Sequence, residues 1–219
     1  PDEFGWVVES TVPIGQGLKS SSALSCAAFR ALNSCAWTGL SNSEIADLSA
    51  KSQLMSDCAI TGSMDDNWAS LEPGWKLVDP SLRASDSIII HGAMDDSLSV
   101  LVCLRGKRSK EISPTRFLEQ RQIFERSLAS IMNGSTLDSL SSNGMAVSAA
   151  TDDHEALRIS NICIASGAIA SGISGSGPAI AVVCFEDEAE SISAIIDEMG
   201  HSTIQTRFAS NATAVEEVS

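Results

Sequence analysis

The chain has 219 residues, 43% of them hydrophobic and 19% charged, a composition that builds a sizeable core and excludes a disordered or fibrous protein. Fourteen Lys and Arg against twenty-eight Asp and Glu leave a formal charge of −14, which repels phosphate backbones and anionic lipid and argues against nucleic acid or a membrane surface as partner. A small anionic substrate is still admitted, because a local nest of backbone N–H groups binds phosphate whatever the global charge.

From the amino terminus, Phe4 to Pro13 carries Trp6, Val7, Val8 and Val12 between polar residues, the pattern of a strand entering a turn. Ser20 to Trp37 repeats small and apolar residues at helical spacing and predicts a long, Ala-rich helix. Ser41 to Met55 predicts a second helix, with Ser41 and Glu44 spaced as a capping box. After a Gly- and Asp-bearing loop, Ser87 to His91 and Leu98 to Leu104 read as the two strands of a hairpin around the polar turn at residues 94–97. Pro114 to Met132 and Leu137 to Ala149 are helical in pattern, the first opened by a proline. Glu155 to Ser166 follows as a helix, then a strand, glycine loop and strand over Ala168 to Phe185. Asp187 to Met199 is a helix closed by Gly200, and Thr203 to Phe208 is a β-branched strand. Strands and helices that do not alternate regularly point to an α+β fold, helices packed on largely antiparallel strands.

The apolar runs at Ile88 to Ile90 and Ala179 to Phe185 fall far short of the roughly 20 residues that span a bilayer. Six cysteines, Cys26, Cys35, Cys58, Cys103, Cys163 and Cys184, form no C-x-x-C pair and read as reduced, buried thiols of a cytoplasmic protein.

Three segments carry chemistry. Pro13-Ile14-Gly15-Gln16-Gly17-Leu18-Lys19-Ser20-Ser21-Ser22-Ala23 joins a two-glycine turn to a helix start, which is an anion-binding arrangement. A Gly/Ser turn can also simply cap a helix, but three serines are more hydroxyl than a cap uses. Leu18 between Gly17 and Lys19 excludes a Walker A loop. The second segment, Thr61 to Asn67, sets Asp65 beside Asp66, and paired carboxylates there serve either as solvated caps or as acid–base groups. The third, Gly172 to Ala179, places three glycines between apolar strands, leaving room for a ligand or another backbone.

Together the three resemble the GHMP kinase superfamily. Pro13-x-x-x-Gly17-Leu18-x-Ser20-Ser21 is similar to its ATP-phosphate loop, Gly62-Ser63-Met64-Asp65 to its catalytic-aspartate segment, and Gly172 to Ala179 to its third glycine-rich motif. The Lys19 and triple-serine form, Thr61-Gly62 with Asp65-Asp66, Asn143-Gly144-Met145 and Thr206-Arg207 resemble the archaeal shikimate kinase branch. The resemblance implies an α+β, GHMP kinase-like two-layer fold. Its N-terminal part, residues 1–80, resembles the second domain of a small-subunit ribosomal protein and binds ATP. Its C-terminal part, residues 81–219, is ferredoxin-like. The family's first motif has no counterpart here, so the N-terminal strands are expected to be missing.

The activity implied is ATP- and Mg²⁺-dependent phosphorylation of a small alcohol, the 3-hydroxyl of shikimate, with homoserine kinase, another GHMP kinase or an inactive nucleotide-binding relative as alternatives. Pro13, Gly15, Gln16, Gly17, Leu18, Lys19, Ser20, Ser21, Ser22 and Ala23 would hold the nucleotide, with the metal on Ser21 and with Ser20 and Ser22 as neighbours able to replace it. Lys19 either turns inward to the β- and γ-phosphates or outward to solvent. Asp65 would take the hydroxyl's proton, with Asp66, Gly175, Ser176, Gly177 and Arg207 at the acceptor substrate.

Overall fold

The computed structural model describes residues 5–58, 62, 64–107 and 113–210. Phe4, Thr61 and Ser63 of the segments above lie outside these. In chain order the elements are α1 (Ser20–Ala36), α2 (Asn42–Met55), α3 (Asp65–Leu71), β1 (Trp75–Val78), α4 (Ala84–Ser87), β2 (Ile88–Gly92) and β3 (Ser99–Leu104). There follow α5 (Pro114–Glu119), α6 (Arg121–Met132), α7 (Thr136–Ala150), α8 (His154–Ala165), β4 (Ala170–Ile173), β5 (Ile180–Cys184), α9 (Ala189–Glu198) and β6 (Ser202–Arg207). No helix among the described residues is long and apolar enough to cross a membrane.

The local signals act as expected at several ends. The Ser41 hydroxyl accepts from Glu44 N while the Glu44 carboxylate accepts from Ser41 N at 2.8 Å, so the capping box of α2 is complete. Asp153 accepts from Ala156 N at 2.9 Å and starts α8. Gly200, at φ 85°, ends the turn after α9 where a side chain would be strained.

The larger sheet has the order β4-β5-β3-β6, every pair antiparallel. Alternation along β3 sends Leu101 and Cys103 to one face, where Ile159 and Cys163 of α8 and Ile192 and Ile196 of α9 cover them. Val100 turns to the other face, against Leu137 and Leu140 of α7. Leu101 is fully buried, so trimming it to Ala costs about 2–5 kcal/mol. A second core unites α1, α2 and α3 through Cys26, Ile45, Ala46, Met64 and Trp68, with Ile88 of β2 packed against it. The α7 helix lies directly on β4, because a side chain at Gly144 would collide with the Gly172 backbone.

Several expectations are corrected. Residues 5–13 form no strand, since no described strand lies beside them to complete a ladder. The expected hairpin does not exist: β2 pairs with β1, and β3 pairs with β5 and β6 in the other sheet. Strand partners are chosen by burial of their faces, and a polar turn between two apolar runs does not decide them. The helix expected from Pro114 to Met132 breaks at Gln120 into α5 and α6. Asp65 and Asp66 stand in the first turn of α3, where carboxylates complement the helix dipole, rather than in a loop. Cys35 and Cys58 are exposed, while the other four cysteines are buried and all six are free thiols.

Candidate active site

The chain approaches α1 through three positive-φ residues, Gly15 (77°), Gly17 (80°) and Lys19 (57°). Lys19 occupies the cap position without a side-chain cap; instead its carbonyl accepts from Ser22 N and Ala23 N at 3.0 and 3.2 Å. The dipole of a 17-residue helix therefore opens onto a backbone loop and not onto a capping side chain.

The loop between β4 and β5 packs against this turn. Ala179 N donates to Gln16 O at 3.0 Å, and the Ser174 hydroxyl donates to Gly17 O at 3.0 Å. A side chain at Gly17 would run into the Gly177 carbonyl, so Gly17 is required by the close approach of the two backbones, while a side chain at Gly177 would meet the Ile173 side chain. A side chain at Gly175 would strike the Lys19 stem. Lys19 is thereby turned inward, along Gly175, and its Nζ reaches Asp66 Oδ2 at 2.6 Å.

Asp66 rather than Asp65 meets the loop. Its carboxyl is pushed above the usual aspartate range by burial first and by neighbouring Asp65 second, with the Lys19 ammonium pulling the other way. Asp65 is exposed and borders a cavity of about 540 Å³ whose walls include Trp75, Leu77, Phe124, Leu137 and Asn143.

The three serines divide by burial. Ser22 is 1% exposed and donates to Gln53 Oε1 at 3.0 Å; Ser21, only partly buried, makes a longer contact of 3.4 Å to the same oxygen. Gln53 Nε2 donates on to Asn67 Oδ1 at 2.8 Å, which also accepts from the Ser49 hydroxyl at 2.7 Å. A buried polar chain thus joins the start of α1 to the residue after Asp66. No group of three or more His, Cys, Asp or Glu among the described residues is arranged to hold a metal. The partly buried Ser21 hydroxyl is an oxygen donor of the kind Mg²⁺ accepts, and Mg²⁺ takes few ligands from protein.

Arg207 is not brought to this place. It pairs with Ser99 at the end of β3 opposite the glycine loop, and its Nη2 sits 3.3 Å from Glu186 Oε2. Five residues of β6 separate it from the near end, roughly 17 Å at strand spacing. Gln53, Asn67 and Arg105 are placed at or behind the site without a sequence signal of their own: Gln53 looks like an ordinary polar position of α2, and Asn67 like the plain polar end of the segment that carries Asp65 and Asp66. Arg105, one residue past an apolar strand, looks like a solvated strand end.

Residues 2–74 match the family described as GHMP kinases N terminal domain. A shikimate kinase of Thermococcus kodakarensis is 28% identical over 194 residues, covering 85% of this chain and 68% of that protein. A shikimate kinase of Methanobrevibacter smithii is 30% identical over 197 residues, with 86% and 66% coverage. The chain belongs to the GHMP kinase superfamily. It spans about two thirds of the length of these curated relatives. The GHMP fold is also that of a solved homoserine kinase from Cytophaga hutchinsonii, at TM-score 0.64 and 16% identity over 91% of this chain and 68% of that one. At that identity the likeness speaks for the fold alone. The GHMP match takes in the turn before α1, and the α+β architecture expected from the sequence holds.

Proposed function

We propose that the chain catalyses ATP-dependent phosphoryl transfer to a small alcohol in the cytoplasm, with the 3-hydroxyl of shikimate as acceptor. The observation that carries this reading is the Lys19–Asp66 pair at the open N-terminus of α1, braced by Gly175. In this reading the triphosphate lies across residues 15–22, against backbone N–H groups and the helix dipole. Lys19 offsets charge on the phosphoryl group in transfer, and Asp66 orients the acceptor hydroxyl and takes its proton. Phosphoryl transfer asks for positioning and charge stabilisation more than for a strong base. The raised pKa of Asp66 still helps, since a more basic carboxylate accepts a proton more readily. Asp65 borders the cavity and in this reading would hold the remainder of the acceptor.

Mg²⁺ would be held by the Ser21 hydroxyl together with the nucleotide, and when bound it neutralises phosphate charge. Ser22, buried and committed to Gln53, is left to position the helix start. Shikimate is favoured as acceptor by the Lys19 and triple-serine loop and by the curated shikimate kinases aligned over 85% of the chain.

A coupled ADP-release assay with shikimate, homoserine, mevalonate and galactose tests the reading. Turnover of shikimate above the other three is expected. Turnover of one of the others instead would reassign the acceptor. ATP binding with no turnover of any would leave a nucleotide-binding relative without catalysis.

A further inference from the structure

We propose that Arg105 is a positioning residue of the nucleotide site, acting through the carbonyl of Pro178; the proposal rests on the ATP reading above. Arg105 follows directly on β3, and its side chain is only 7% exposed, unusual for an arginine. Its guanidinium forks onto Asp153, Nη1 to Oδ2 at 2.8 Å and Nη2 to Oδ1 at 2.7 Å, and Nη2 also meets Glu155 Oε2 at 3.2 Å. Nη1 donates further to Pro178 O at 3.1 Å. The Nε of the same group is buried with no partner among the described residues. Both terminal nitrogens of the head group are thus fully used, each on two acceptors. The head group is seated where it spans Asp153 and the Pro178 carbonyl.

Pro178 is the last residue of the loop before Ala179, whose N–H donates to Gln16 O in the phosphate turn. A continuous path results: the N-terminus of α8, Asp153, Arg105, Pro178, Ala179, Gln16. Arg105 adds an outside anchor to the bonds the loop makes within itself, Ser174 N to Ala179 O and Gly177 N to Ser174 O, both at 2.8 Å. Gly175 and Gly177 sit at φ 54° and 73°, and glycines give it little side chain with which to hold itself. Lys19 leans on Gly175 and Gly17 abuts Gly177, so a shift of the loop displaces both the phosphate turn and the ammonium. Arg105 touches none of the reacting groups; it fixes the surface against which they are set.

The test compares the unaltered chain with Arg105→Ala, Arg105→Lys and Asp153→Asn, reading KM for ATP, KM for the acceptor, kcat and thermal stability. Arg105→Ala is expected to raise KM for ATP about tenfold with the acceptor KM within twofold. Lysine keeps the charge but cannot make the planar fork, so Arg105→Lys restores part of the loss. Asn still caps α8, so Asp153→Asn tests the ion pair without removing the helix start, and it too is expected to raise KM for ATP. The double variant Arg105→Ala with Asp153→Asn should be no worse in KM for ATP than Arg105→Ala alone, as for two parts of one device. A lowered melting temperature with KM for ATP unchanged in the folded variants means a merely structural pair and overturns the proposal. If Arg105→Ala does not fold, the other two single variants decide on the same criterion. Failure of the unaltered chain to bind ATP shows before any variant is made; it defeats the ATP reading and this proposal with it.

Discussion

Lys19 Nζ lies 2.6 Å from Asp66 Oδ2 across 47 positions of sequence. The pair joins the turn before α1 to the first turn of α3, and the glycine loop between β4 and β5 forms its floor. Each of the three segments singled out by its glycines and polar residues contributes to this one spot.

Replacing Asp66 separates the two carboxylates. Asp66→Asn is expected to lower kcat by about 10²- to 10⁴-fold, the usual worth of a positioned acid–base group. Asp65→Asn should act mainly on the acceptor KM, because Asp65 borders the cavity and makes no contact with Lys19 in the pair. Steady-state kinetics of both variants decides, and a larger kcat loss for Asp65→Asn would return the proton to that residue.

The raised pKa of Asp66 carries a sign for stability. The folded chain binds this proton more tightly than the unfolded chain, so the favourable contribution is present at pH below the ordinary aspartate value. It is lost as the pH rises through the folded value. Asp66→Asn removes the group, and the difference in unfolding free energy between the unaltered chain and this variant should shift against the unaltered chain over that window. Urea unfolding at a series of pH values measures it. A difference that moves the other way would mean that Lys19 outweighs burial.

Gly144→Ala gives a result opposite to helix propensity. In an ordinary helix the change stabilises by about 0.5–1 kcal/mol. Here the methyl group meets the Gly172 backbone, and forcing α7 from β4 costs about 1–3 kcal/mol. A lower denaturation midpoint is expected, and a higher one would show that the two backbones can part easily.

Gln53→Leu keeps the size of the side chain and removes its polarity. The Ser22 hydroxyl then loses its acceptor and Asn67 loses a donor, both inside the core. The expected cost is about 1–3 kcal/mol, read by chemical denaturation.

Thiol reactivity follows burial. Burial pushes the Cys103 and Cys163 thiols up to about 11, and raises Cys26 and Cys184 as well. A neutral thiol is a poor nucleophile, so mass spectrometry after brief alkylation at neutral pH should find label on the exposed Cys35 and Cys58 and little on the other four. Rapid labelling of Cys103 would mean that the core under β3 opens readily.

Much of the helical layout and the glycine-serine turn before α1 were legible in the chain itself. Ser41 and Glu44 form their capping box three residues apart, and Gly15 to Ala23 announces the N-terminus of α1, though not that a side-chain cap is absent there. Both are local, resting on spacing within one or two turns. The partners of β2 and β3 were not legible, since each apolar run satisfies a hairpin pattern equally well. Only the packing of Ile88 with the α1–α3 core and of Leu101 under α8 and α9 sends them to different sheets. Arg207 shows the same limit, because its residue type suits a carboxylate while its place in β6 puts it at the wrong end.

The sequence by itself determined which residue types stand together along the chain: a glycine-serine turn before a long helix, a pair of carboxylates, a second glycine loop. The tertiary structure alone decided which carboxylate faces the lysine, which serine is left accessible, and that Arg105 is buried behind the loop. Capping and turn formation depend on neighbours a few residues away. Burial, charge pairing and the meeting of two glycine backbones depend on surfaces brought together only when the whole chain has packed.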